Sequence, residues 1–233
     1  MSIKEKIAEY VVEIRFKPNA RVLDKRGEIA SNLLSKLLNQ WSISSNQILL
    51  SSKENLDTKA VFSFKNVSFV SNYPNDKKFF LENAEAYIKS AWTHFPNNEI
   101  VRVGIRTKYL IPAKDFKSIF DSYKKNFLAL KDEDLTKIGG TLIDLGFPLN
   151  FADGDNFFNI VTGPMEKEQF GQFVKEQEDI FENGVFIDFD YFKQEFSPYT
   201  KQKDILDLIK LGIEKAENAC SAISDLVIKK QDE

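Results

Sequence analysis

The chain has 233 residues, enough for one large domain or two small halves packed together, and its 42% hydrophobic and 29% charged residues exclude a disordered chain. A net charge of −3 is far from the basic balance of a protein that coats nucleic acid. The single cysteine excludes a disulfide framework or multi-thiolate metal site, and the single histidine excludes most zinc enzymes and any paired-histidine chemistry.

The start of the chain shows no apolar run of signal-peptide length, and no stretch approaches the ~20 apolar residues of a membrane span. The expected compartment is therefore the cytoplasm, with no membrane partner. Phe is over-represented, with 21 residues against 2 Trp and 2 Met. Flat rings of that kind suit a sheet face covered by helices.

Residues 9–17 alternate, with Val12, Ile14 and Phe16 toward one face and Val11, Glu13, Arg15 and Lys17 toward the other. That is a strand with one buried face, ended by Pro18. Residues 23–41 follow at helical spacing, with Ile29, Leu33, Leu37 and Trp41 as the buried stripe and Asp24 as N-cap. Short β-like runs occupy 47–51, 59–64 and 67–71, the last two joined as a hairpin through Lys65–Asn66. A helix over 76–94 carries Phe80, Ala84, Tyr87, Ile88, Ala91 and Trp92, and Pro96 with Asn97–Asn98 breaks it.

The clearest strand is 99–110, closed by Pro112. Helical spacing returns over 115–130 through Phe116, Ile119, Phe120, Tyr123 and Phe127. Gly139–Gly140 opens a β stretch at 141–151, and an Asp153–Asn156 turn leads into a strand at 157–162. Segment 168–182 fits neither period. A strand at 184–192 and a helix from about Thr200 to Lys229 complete the chain. The predicted fold is α+β, in a single domain over 1–233. Its mainly antiparallel or mixed sheets are covered by about four helices, the last one long. The order of elements hints at two loosely similar halves, 1–112 and 113–233.

Three of these segments carry recognisable patterns. One is the acid and arginine of Val12-Glu13-Ile14-Arg15-Phe16, and the second is Arg102-Val103-Gly104-Ile105-Arg106 with Tyr109 beyond it. The third is Ile187-Asp188-Phe189-Asp190 ahead of the terminal helix. Together they resemble a sporadically distributed family of bacterial conserved hypothetical proteins, over almost the whole chain. The chain departs from that family in having no histidine in its terminal helix. The family has no established activity. The resemblance implies a bacterial domain from the mobile gene pool in which defence and toxin–antitoxin components are common.

Period two places Arg102, Arg106 and Lys108 on one face of their strand, Asp188 and Asp190 on one face of theirs, and Glu13 with Arg15 on one face of the first. If the strands share a sheet, these charges either pair across strands and set register, or line a groove that receives an anion or an acidic partner. Asp188 and Asp190 are also spaced to hold magnesium on a phosphate-containing substrate. The Gly-Ser helix start such an enzyme needs is missing, since Phe170-Gly171-Gln172 stands upstream. No metal or cofactor is expected. His94 reads as a helix cap.

The terminal helix carries Ile205, Ile209, Ile213, Ala216, Cys220, Ile223 and Val227 as a narrow seam, which either docks on the protein's own sheet or holds another chain. The functional expectation is a non-catalytic bacterial binding or accessory protein working through a protein partner or a homo-oligomer. It would use the charged face and the helix, and no catalytic residue is assigned. The alternatives are magnesium chemistry at Asp188 and Asp190, or nucleic-acid binding along Arg102, Arg106 and Lys108.

Overall fold

In the computed structural model, residues 6–55, 57–72, 74, 76–94, 99–170 and 182–228 are described. The elements run β1 (Lys6–Phe16), α1 (Arg21–Asp24), α2 (Arg26–Leu33), β2 (Gln40–Ile43), β3 (Gln47–Ser51), β4 (Thr58–Ser63), β5 (Asn66–Asn72) and α3 (Lys77–Trp92). Then follow β6 (Ile100–Ala113), α4 (Phe116–Phe127), α5 (Asp132–Ile138), β7 (Phe147–Asp153), β8 (Asn156–Glu166), α6 (Lys167–Phe170), β9 (Asn183–Gln194) and α7 (Gln202–Val227).

The strands form one nine-stranded sheet in the order β2-β3-β4-β5-β1-β6-β9-β8-β7, with every neighbouring pair antiparallel. The fold is α+β. Seven helices occur among the described residues, and the sheet is larger than about four covering helices implied. The four longest helices contact it in sequence across its width: α2 on β3, α3 on β5, α7 on β6 and β9, and α4 on β8. They bury alternate side chains of the strands beneath: Tyr10, Val12, Ile14 and Phe16 of β1, Val103, Ile105, Tyr109 and Ile111 of β6, and Val185, Ile187, Phe189 and Tyr191 of β9. These belong to one continuous core.

The succession repeats. β1 is followed by helices and by strands that return, β5 last, to pair beside it, and then comes α3; β6 is followed by helices and by β7, β8 and β9, β9 last beside it, and then comes α7. The two runs meet where β1 and β6 pair.

Local chemistry sets the helix starts. The Asp76 carboxylate accepts from the Phe79 N–H at 2.6 Å and that of Asp115 from the Ser118 N–H at 2.8 Å, supplying two orphan amides with partners. At the centre of α7, Gly212 lets the helix lie close on the sheet. A Cβ there would come within 3.1 Å of both Ile105 Cδ1 and Tyr191 Cδ1.

Several expectations need correction. The helix foreseen over 23–41 is broken at Lys25 and stops at Leu33. Asp24 ends α1 instead of capping a helix, and Leu34 is extended, with Ser35 Oγ accepting from the Leu38 N–H at 2.9 Å in a turn. Trp41 lies in β2. The β4–β5 loop is Phe64–Lys65, one residue earlier than expected. Pro112 does not close β6 but pairs opposite Gly184 inside it, past Leu110, where β9 is its one paired neighbour among the described residues.

The stretch 141–146 is not a strand and buries no face, with Ile143 79% exposed; β7 begins at Phe147. Within 168–182, α6 reaches Phe170, and 171–181 lie outside the described residues, as do Pro96, Asn97, Asn98 and Lys229. The Asp153–Asn156 turn is as expected, with Asp153 paired to Asn156 and Gly154 at φ +61°. Among the described residues, no helix is long and apolar enough to cross a membrane.

Candidate functional site

The parity that buries one face of β1, β6 and β9 points Glu9, Glu13, Arg15, Arg102, Arg106, Lys108, Asp188 and Asp190 out of the opposite face, the one away from α2, α3, α4 and α7. The structure thus brings together every charged residue predicted from the sequence. It also adds Glu9, whose carboxylate takes the Lys108 ammonium at 2.6 Å.

The charges neutralise one another across strands. Arg106 donates from Nε to Asp188 Oδ1 at 2.7 Å and from Nη2 to Asp188 Oδ2, a two-pronged pair. Arg102 donates from Nη2 to both Asp190 oxygens, at 3.0 and 2.9 Å, and its Nη1 lies 3.7 Å from Glu13. Glu13 also accepts from Arg15 Nε at 2.6 Å and from Asn66 Nδ2 at 2.9 Å. In register Arg106 faces Asp190, Lys108 faces Asp188 and Arg102 faces Gln194, so the arginine pairs run diagonally, Arg106 reaching two residues along β9 to Asp188 and Arg102 four residues to Asp190. Four carboxylates therefore meet four cations, and the centre of the face carries no net charge.

Depth differs along the row. The Arg102 side chain is 15% exposed, whereas that of Arg106 is 50% exposed. Asp188, chiefly through its hydrogen bonds, holds the Arg106 guanidinium above its ordinary range. Gly104 makes the Arg102 arrangement possible, because a Cβ at that position would collide with the guanidinium lying across it. The same guanidinium stacks on the Phe192 ring, 4.6 Å from its centroid. Phe192 in turn stacks on Phe157 at 5.7 Å, and Phe157 is 40% exposed.

Three aromatics, Phe157, Phe186 and Phe192, stand on this face and not on the core side. Gly104, Phe157 and Phe192 were not singled out as site residues. The glycine within Arg-Val-Gly-Ile-Arg was the available signal for a close approach.

Asp188 and Asp190 reach toward arginines, and a metal ion would have to displace those guanidinium groups. Among the described residues no group of three or more His, Cys, Asp or Glu side chains is placed to hold a metal ion. The seam of α7 is placed differently from the partner reading. Ile205, Ile209, Ile213, Ala216, Cys220, Ile223 and Val227 are all buried in the chain's own core, over β6 and β9, so the seam is not open to a second chain.

His94 does not favour its cationic form as a helix cap. Its ring meets Phe62 edge-on at 6.3 Å, and burial pushes its pKa below the usual imidazole range. The sign follows from linkage. Above about pH 6.5 both folded and unfolded chains hold a neutral ring, and below it the unfolded chain binds the proton more readily, so His94 removes stability as pH falls. His94→Gln is expected to flatten the loss of stability between about pH 7.5 and pH 5, read from urea midpoints; an unchanged slope would refute the assignment.

Comparison of the chain with protein-family models and with curated proteins returned no match.

Proposed function

We propose that the chain is a non-catalytic binding module that engages another protein through the charged face of its sheet, the one away from α2, α3, α4 and α7. The observation that carries this reading is a sheet whose four longest helices lie on one side, while the middle of its other side presents internally paired charges beside exposed Phe157 and Val161. Protein interfaces combine those traits, with aromatic and arginine side chains at the centre and polar groups already partnered. The half-exposed Arg106 is the residue best placed to touch a partner.

A nucleic-acid reading gains the Phe157 and Phe192 rings as stacking surfaces but lacks the net positive field that phosphate binding requires. Magnesium chemistry at Asp188 and Asp190 gains no support from carboxylates already held by arginine. A bacterial defence or toxin–antitoxin setting rests on the sequence resemblance alone.

A photocrosslinking amino acid at position 157, with a control at Leu226 on the outer side of α7, tests the proposal in cells that make the protein natively. The expected result is a protein adduct from position 157 that is absent from the control and weakened by Arg106→Glu. Adducts to nucleic acid, or the same adducts from both positions, would sink it.

A further inference from the structure

β2 forms one outer edge of the sheet. All four of its residues are exposed, Trp41 to 54% and Ile43 to 37%. Edge strands are ordinarily guarded against pairing by charge, proline or a bulge. Gln40-Trp41-Ser42-Ile43 has neither charge nor proline, and its register with β3 is unbroken. Shortness is its one guard.

The backbone of this edge has a definite polarity. At the hairpin end the Ser44 N–H donates to the Gln47 carbonyl at 2.9 Å, which makes 44 and 47 a hydrogen-bonded pair. Alternation then turns the N–H and C=O groups of Ser42 and Gln40 inward to β3, and those of Trp41 and Ile43 outward to the free side. Trp41 stands opposite Leu50 and Ile43 opposite Ile48, both fully buried beneath the helices. The same two residues therefore offer outward backbone groups and uncovered apolar side chains on one face.

We propose that this edge pairs with the same edge of a second copy of the chain. With Ser42 on the two-fold axis, antiparallel pairing sets Trp41 opposite Ile43 of the second copy and Ile43 opposite its Trp41. Both are pairs of outward-pointing residues, so each exchanges two backbone hydrogen bonds. Each indole lies against an isoleucine, an aromatic–β-branched combination favoured across antiparallel strands, and no like charges are opposed. The match is reciprocal because the strand is symmetric about Ser42 in its pattern of polar and apolar residues, which is what an isologous contact requires. The contact is small, and the association it supports is weak.

Sedimentation equilibrium on the full chain, from about 1 µM to about 1 mM, reads the association directly. The expected result is a reversible dimer accompanied by a blue shift of tryptophan emission. Ile43→Lys is expected to weaken it roughly tenfold or more while the circular dichroism spectrum stays unchanged. If that variant folds poorly, Ser42→Cys serves instead. Residues directly opposed across the axis in a non-hydrogen-bonded pair have Cα atoms ~4.5 Å apart, within disulfide range. Oxidised glutathione should link Ser42→Cys chains in pairs and leave Ser45→Cys chains single. A monomer at every concentration, or a dimer indifferent to Ile43→Lys and unlinked through Ser42→Cys, overturns the proposal. A dimer abolished by Phe157→Asp assigns self-association to the open face and overturns it too; otherwise Phe157→Asp leaves the dimer intact, which keeps this test separate from the binding role of that face.

Discussion

A chain that stops at Ser197 is expected to lose its cooperative fold. It lacks α7, which buries Ile205, Ile209, Ile213, Ile223 and Val227 over the centre of the sheet. Each fully buried aliphatic side chain contributes ~1.5–3 kcal/mol, so those five rival the ~5–15 kcal/mol that holds a typical domain together. Truncation also uncovers Ile105 and Tyr191, against which Gly212 packs. Expected are loss of the urea transition and binding of a hydrophobic dye. The graded counterpart is Ile213→Ala, which opens a cavity where α7 crosses β6 and β9 and should cost about 2–5 kcal/mol at an unchanged m-value. A truncated chain that unfolds at the parent midpoint, or an Ile213→Ala variant that alters association but not stability, would return the seam to the role of a partner contact.

The elements legible in the sequence are those with one wet and one dry face. β1 and the middle of β6 and β9 announce themselves by alternation because α2, α3, α4 and α7 lie on one side, and the same parity sets apart Glu13, Arg102, Arg106, Asp188 and Asp190 on their strands. Elements without a buried face leave no such trace. β2 is exposed throughout, and Trp41 extended the four-residue spacing of Ile29, Leu33 and Leu37 by coincidence. α5 buries none of its residues and was not foreseen.

The seam of α7 was legible as a seam but not as to its partner, since a narrow apolar stripe looks alike whether it meets a helix or a sheet. Pairing across strands is non-local. The link between Glu9 and Lys108 needs β1 beside β6, and the diagonal arginine pairs need the register of β6 on β9. No local pattern contains that information.

The charged row is expected to divide into a stabilising part and a recognising part, along the difference in exposure between its two arginines. Arg102→Met should destabilise by about 1–3 kcal/mol, because it leaves Asp190 and Glu13 near each other without their shared cation and uncovers one face of Phe192. The double variant Arg102→Met with Asp190→Asn should lose less than the two single losses added, the mark of direct coupling. Gly104→Val should resemble Arg102→Met, since its side chain would occupy the space of the guanidinium and push it off Asp190. Arg106→Met removes a half-exposed guanidinium from an Asp188 that is 13% exposed but keeps Lys108 opposite it in register, so the loss of stability should stay within ~1 kcal/mol. If the open face binds a protein, Arg106→Met weakens the crosslink from position 157 while the urea midpoint holds. Equal stability losses at both arginines, with crosslinking indifferent to either, would make the whole row a register device and leave the face without a recognition role.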